Sequence, residues 1–395
     1  MAAGEALRRE IPLAVPHFGP RELEAVGEAI SSGWVSTASP EVGRFEEAFA
    51  AAVGAPHAVA LVSGTAALHM ALLVAGVQPG DEVLMPALTF VAPANAVRHA
   101  GAQPVFVDVD PVTAQLDVPA ALELLRSRFE PGTGGLVNRS SGRRLAALLP
   151  VHVLGHACDV TGLVAFARDH GVPVIEDATE GLGATLNGTP LGLLGDIGCF
   201  SFTGNKLLTT GGGGMLVTGC HEWAARARYL TQQAKEPGVE YVHGDVGYNT
   251  RLPGLQAALG IAQLASLSEH LAAKRRIAAA YLAGLADLPG VQPLLPGPGV
   301  ESAWWLFTIL VDEQVAGLDS RALLAGLAAA GIQSRPLWQP LPESRAYRDC
   351  EALPWEASRL FHRRGLSLPS SVGLTPADQA RVVEVVRALV AGATA

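Results

Sequence analysis

Short apolar runs alternate with stretches of helix length through the first half of the chain, and this rhythm limits the fold more than any other feature. Ala58–Val62, Val83–Met85, Val105–Val109, Ala146–Val153 and Val172–Ile175 read as strands, with helices expected between them, as over Ala66–Ala75 and Val160–His170. Strands that are apolar along their whole length must be covered on both faces, and parallel strands need crossover helices to connect them. The pattern therefore predicts an α/β fold, with a large, mixed but mostly parallel sheet wrapped by helices. Two helices are expected ahead of it. Pro20 opens the first, Leu23, Val26 and Ile30 share one face, and Gly33 closes it; Val42, Phe45 and Phe49 keep helical spacing up to Gly54.

The segment Glu130–Arg144, rich in Gly, Ser and Arg, interrupts the rhythm and reads as an excursion or flexible loop. Long helices follow near Leu255–Leu285, then a Gly/Pro-rich stretch, Pro289–Gly299. A strand over Trp304–Val311 and helices over Ser320–Ala330 and Pro376–Ala391 suggest a smaller C-terminal α+β lobe. The expected division is a large domain with its N-terminal helices over 1–255, and linking helices plus a small domain over 256–395. With 395 residues, 49% of them hydrophobic and 16% charged, the chain can fill such a core.

A net charge of −9 argues against a nucleic-acid partner, and Lys274-Arg275-Arg276 reads as the solvated face of a helix. No apolar run approaches the ~18 residues that span a bilayer. Met1–Pro12 carries Glu5, Arg8, Arg9 and Glu10 without the apolar centre of a leader, so a cytoplasmic protein is expected. Cys158, Cys199, Cys220 and Cys350 form no C-x-x-C pair and suggest neither disulfides nor zinc.

Three places can carry chemistry. Ser63-Gly64-Thr65 follows a strand and opens a helix, where free N–H groups can cradle a phosphate; an ordinary turn capped by Thr65 has the same sequence. The strand ending in Glu176-Asp177 puts carboxylates where ligands of parallel sheets bind, and one of them could hold a pyridine nitrogen protonated. Lys206 lies in a sparsely charged setting, four residues after Ser201 and just before the glycine run 211–214. A lysine in such a place can lose its proton and attack a carbonyl.

The order of these signals is more specific than any one of them. In that order, and through GTAALHMALLVAGVQPGDEVLMPALTFVAPANAV, VDVDP, IEDATEGLGA, GDIGCFSFTGNKLLTTGGGGMLVT and VGYNTRLPGLQAALG, the chain resembles the DegT/DnrJ/StrS family of nucleotide-sugar aminotransferases from about Ile11 to Pro369. GNKLLTTGGGGM, EYVHGDVGYNTRLP and Arg335-Pro336-Leu337-Trp338 make it most similar to the members that build 4-amino-4,6-dideoxy-hexosamine nucleotides of the legionaminic-acid and bacillosamine type.

The resemblance implies the type I aminotransferase fold and pyridoxal 5′-phosphate bound covalently to Lys206. It implies that Asp177 pairs with the ring nitrogen, that Gly64, Thr65 and Ser201 hold the phosphate, and that Phe90 covers the ring. Asn249 would serve the second subunit's phosphate, making the active unit a homodimer with a shared site. Glu180 stands where many members have His or Gln; as a carboxylate it only accepts hydrogen bonds, so it must be protonated or paired to donate. L-Glutamate would be the donor and a nucleotide-linked 4-keto-6-deoxy sugar, an N-acetylhexosamine, the acceptor, in ping-pong order. Arg251, Arg335 and His156 are candidate substrate contacts, and either arginine has a structural salt bridge as its alternative. His152 and His156 are not expected to bind metal, because Gly155 and the preceding strand break a helical pair. The competing readings are a 3-keto-sugar aminotransferase, a cofactor-binding regulator without catalysis, and a sugar dehydratase. The last replaces the lysine with His, which Lys206 opposes. A cysteine-dependent lyase would have only Cys350 to offer.

Overall fold

The structure, a computed structural model, describes residues 10–394; the stretch 1–9, most of the segment inspected for a leader, lies outside the described residues. Helices α1 (Pro20–Ser32) and α2 (Pro40–Val53) lead into β1 (His57–Leu61) and α3 (Gly64–Val74). The sheet continues with β2 (Glu82–Pro86), β3 (Gln103–Val107), β4 (Leu145–Leu148), β5 (Ile175–Asp177), β6 (Ile197–Ser201) and β7 (Gly214–Thr218), and α4 (Ala92–His99), α5 (Val118–Arg128), α6 (Thr161–His170) and α7 (His221–Thr231) complete this part of the chain. A three-stranded part ordered β3–β2–β4 and a four-stranded part ordered β5–β6–β7–β1 adjoin through parallel bridges Leu148–Val174 and Val151–Asp177. Only β7 runs antiparallel to its neighbours. This is the mostly parallel sheet that the alternation predicts, made mixed by one antiparallel strand.

Both faces are sealed. On one, Val42, Phe45 and Phe49 of α2 are fully buried, and their rings meet Phe200 and Phe202 edge-on at 5.1–5.4 Å. The glycine run lets β7 close on the first turn: a side chain at Gly214 would stand 2.4 Å from the Ser63 carbonyl oxygen. Helix α8 (Gly254–Leu264) packs on α1 and α2, and α9 (Leu267–Leu285) leads to the second lobe. There β8 (Val291–Pro293), β9 (Phe307–Val311), β10 (Arg335–Pro336) and β11 (Gly365–Leu368) form an antiparallel sheet in the order β8–β9–β11–β10. Helices α10 (Ser320–Ala329), α11 (Glu356–Arg364) and α12 (Pro376–Thr394) accompany it.

Four expectations change. Ile11, placed with the first domain by position, pairs with Ile332 and lies in the core of the C-terminal lobe. The apolar positions of α1 face outward: Leu23 is 77% and Ile30 61% exposed, while Glu22 and Ala29 are buried. Glu22 goes inside because it accepts from the Gly19 N–H at 2.7 Å and the Gln263 amide at 2.8 Å. The segment 130–144 is no loose loop. It contains most of a hairpin (Phe129–Gly132 with Gly135–Asn138), and Asn138 and Ser141 donate to the buried Glu82 at 2.9 and 2.7 Å. Glu82 begins β2, so the hairpin lies at the end of the sheet away from the strands' carboxyl ends. Finally, Lys274 is buried rather than solvated.

Candidate active site

The carboxyl ends of β1, β5 and β6 meet at one cleft of about 560 Å³, between the sheet and the C-terminal lobe. Its wall includes Gly64, Thr65, Phe90, Glu180, Ser201, Lys206 and Arg335 among the residues singled out above, together with Ser63, Thr179, Trp305 and Trp338. The first turn of α3 is capped by Ser63, not Thr65: its Oγ accepts from the Ala66 N–H at 3.1 Å. That leaves Thr65 and the early helix N–H groups facing the cleft. A side chain at Gly64 would stand 2.8 Å from Ser201 Cβ and 3.1 Å from Thr179 Cγ2, so only glycine lets this turn approach the Ser201 hydroxyl. Ser201 Oγ lies 3.1 Å from Thr203 Oγ1.

The two carboxylates ending β5 point to opposite faces, as strand period demands. Glu176 is fully buried and saturated: it accepts from the N–H groups of Gly192, Leu194 and Gly195 at 2.9, 2.7 and 2.6 Å. His152 Nε2 lies 2.9 Å from it, and since His152 Nδ1 accepts from the Cys158 N–H at 3.0 Å, Nε2 carries the hydrogen. Asp177, 2% exposed, accepts from the Thr179 N–H at 3.0 Å. Burial raises its carboxyl above the usual range, against the pull of Thr179 and the Lys206 charge. It lies beneath the cleft rather than in its wall.

Lys206 Nζ lies 3.4 Å from Glu180 Oε1 and 4.1 Å from the centre of the Trp305 ring. The other Glu180 oxygen accepts from the Leu154 N–H at 2.7 Å, where the backbone takes a left-handed φ of 63°. Burial pushes the Glu180 carboxyl up, and Lys206 opposes that shift. Trp305 is fixed by its own indole N–H, which donates to the Asn205 carbonyl at 2.8 Å.

The remaining candidates lie elsewhere. His156 is 1% exposed, its Nδ1 is 2.8 Å from Ser302 Oγ, and burial lowers it to about 4; it is not in the cleft wall. Gly155 beside it explains the close packing, since a side chain there would stand 2.6 Å from the Trp305 nitrogen. Arg251 faces Glu46 at 3.4 Å, the salt bridge named as its alternative. Asn249 is exposed and does not line this chain's own cleft. Of the residues that sequence reasoning missed, Thr179 had its place two after Asp177 as a signal, whereas nothing in one sequence separates Trp305 from a core tryptophan.

The cleft therefore joins a lysine that faces a carboxylate and an aromatic ring to a glycine turn, beside a buried aspartate. The model of the DegT/DnrJ/EryC1/StrS aminotransferase family matches residues 16–387, and the chain belongs to that family. It is 38% identical over 375 residues to GDP-perosamine synthase of Caulobacter vibrioides, covering 94% of this chain and 96% of the other. It is also 38% identical to the putative pyridoxal phosphate-dependent aminotransferase EpsN of Bacillus subtilis, covering 96% and 95%. The structure of DesI in the presence of its TDP-sugar product superposes with a TM-score of 0.86 at 30% identity, covering 98% and 94%. The chain is an aminotransferase.

Proposed function

We propose that the chain uses pyridoxal 5′-phosphate to move an amino group from L-glutamate to the ketone of a nucleotide-linked 4-keto-6-deoxy sugar, an N-acetylhexosamine. The observation that carries the reading is Lys206, held in the cleft between Glu180 and Trp305 with Asp177 beneath. The relatives support a nucleotide-linked sugar as substrate, since they include a GDP-perosamine synthase and an enzyme with a TDP-sugar product.

The residues fit the cofactor. Gly64 keeps the α3 turn open beside Ser201, which suits a phosphate held by N–H groups and hydroxyls of Gly64, Thr65 and Ser201. Asp177 is a desolvated carboxylate with lone pairs to spare, and a protonated ring nitrogen would offset the cost of its burial. Bound pyridoxal phosphate supplies an aldehyde carbon and an electron-withdrawing ring. Lys206 Nζ takes a proton from the donor's α-carbon and delivers one to the acceptor's carbon as general base and acid. Glu180 Oε1, 3.4 Å away, holds the amine in place between the two transfers. Phe90 and Trp305 exclude water from the reacting side, and Arg335 offers a fork to a diphosphate or the donor carboxylate. One site serving donor and acceptor in turn gives ping-pong kinetics.

The active unit is a homodimer in the cytoplasm, with Asn249 of one copy serving the cleft of the other. Exposed apolar side chains in the segment that precedes Asn249 support this: Val239 is 97%, Tyr241 85% and Val246 82% exposed, and Leu23 and Ile30 of α1 are also exposed. The test is a panel of keto-sugar nucleotides with glutamate, scored by product mass. Amination of 4-keto-6-deoxy N-acetylhexosamine nucleotides supports the assignment; amination of 3-keto sugars alone would replace it, and none at all would favour a regulator.

A further inference from the structure

Helix α9 carries three buried polar side chains on one side, and each ends on a backbone carbonyl. His270 Nδ1 lies 3.2 Å from the carbonyl oxygen of Leu207, the residue after Lys206. Four residues on, Lys274 Nζ donates to the Trp305 carbonyl at 2.8 Å and to the Ser370 carbonyl. Seven further, Tyr281 donates to the Pro369 carbonyl at 2.9 Å. At 3.6 residues per turn these positions share one face. Lys274 is the unusual member. It is 3% exposed, and among the described residues its partners are two neutral carbonyl oxygens; burial lowers it to about 7. A buried amine without a counter-charge is costly, and a methionine of similar length would fill the space without that cost.

What the two carbonyls belong to gives the amine a role. Ser370 follows β11 of the C-terminal lobe, and Trp305 presents its ring 4.1 Å from Lys206 Nζ. The indole end of Trp305 is fixed by Asn205, and its backbone end by Lys274. We propose that Lys274 is a positioning residue for the Lys206–Trp305 pair: it ties the Trp305 backbone to the Ser370 turn and so holds the indole over the Lys206 amine. Through the same tie, a displacement of the C-terminal lobe reaches the reacting amine. The proposal rests on Lys206 being the site amine.

The test labels the protein, freed of cofactor, with an amine-reactive trinitrobenzenesulfonate at fixed pH and follows the Lys206 peptide by mass. Lys274→Met and Trp305→Leu should each speed Lys206 labelling about threefold or more, since the ring no longer covers Nζ. The double variant should go no further than the larger single effect. Tyr281→Phe, which removes another α9 tie, should lower the melting temperature and leave labelling unchanged. Lys274→Gln, which keeps one donor, gives an intermediate rate and serves where Lys274→Met does not fold. Wild-type labelling in either folded Lys274 variant, or in Trp305→Leu, overturns the proposal, as do additive effects in the double variant. The readout needs no amino transfer, so failed transfer with altered labelling would remove the proposed function and leave the positioning role.

Discussion

Lys206 and Lys274 both touch Trp305, one at its ring and the other at its carbonyl, and they differ in everything else that matters to reactivity. Lys274 is sealed in the junction between the lobes, with burial lowering it to about 7. By proton affinity alone it would be a good nucleophile at neutral pH. Lys206 faces a carboxylate and opens on a cleft that can admit a carbonyl compound. Access and partners, rather than a lowered proton affinity, separate the reacting amine from the structural one. The same contrast recurs within one strand: Glu176 is spent on three N–H groups and His152, while the adjacent Asp177 accepts from the Thr179 N–H and keeps acceptor capacity.

The largest effect expected is on Lys206. Lys206→Ala should lower amino transfer by ~10³-fold or more while the fold persists, because general acid–base work alone contributes roughly 10²–10⁴; Lys274→Met should retain far more of the rate, and equal losses in a steady-state assay would erase the distinction. Glu176→Gln should cost about 3 kcal/mol in denaturant unfolding, as expected for breaking a buried, hydrogen-bonded charge, and leave the turnover of folded protein near wild type. Asp177→Asn should do the reverse. Transfer should fall about 10- to 100-fold, the worth of one hydrogen bond to a charged group, with little change in unfolding midpoint; if stability falls and turnover does not, the two carboxylates have exchanged roles.

The smallest effect is a slope. Lys274 has a folded value near 7, below the usual lysine value, so between pH 7 and 10 the unfolded chain binds the extra proton. Stability from this group is therefore least below pH 7 and rises as pH climbs, by at most ~1.4 kcal/mol per unit. Lys274→Met lacks that rise, so its stability relative to wild type should decline from pH 6 to pH 9 in urea titrations. Parallel curves would mean that Lys274 does not titrate in this window.

Much of this was readable in the sequence because it depends on local pattern. Strands covered on both faces are mostly apolar, so β1 to β4 announced themselves, whereas β5 starts only at Ile175, the last residue of its expected run, and ends in two carboxylates; α2 kept its spacing because Phe45 and Phe49 meet the sheet. Lys206, Gly64, Ser201 and Glu180 share one cleft as the motif order implied. The pattern failed where distant partners decide. Leu23 and Ile30 have the spacing of a buried face, yet Glu22 takes the interior because Gly19 and Gln263 satisfy it. Ile11 joins a lobe built more than 250 residues later, and no periodicity records such a pairing. Lys274, in a run of three basic residues, could only be read as solvated until Trp305 and Ser370 were seen to supply its acceptors.

The proposed function requires that Lys206 hold pyridoxal phosphate and take part in amino transfer from glutamate. The most direct measurement is the absorbance spectrum of purified protein supplied with the cofactor, before and after L-glutamate, for wild type and Lys206→Ala. Wild type should show the band of lysine-bound cofactor, glutamate should convert it to that of the amine form with release of 2-oxoglutarate, and the variant should lack the first band. A wild-type protein that takes up no cofactor, or a lysine-bound band in Lys206→Ala, would contradict the account.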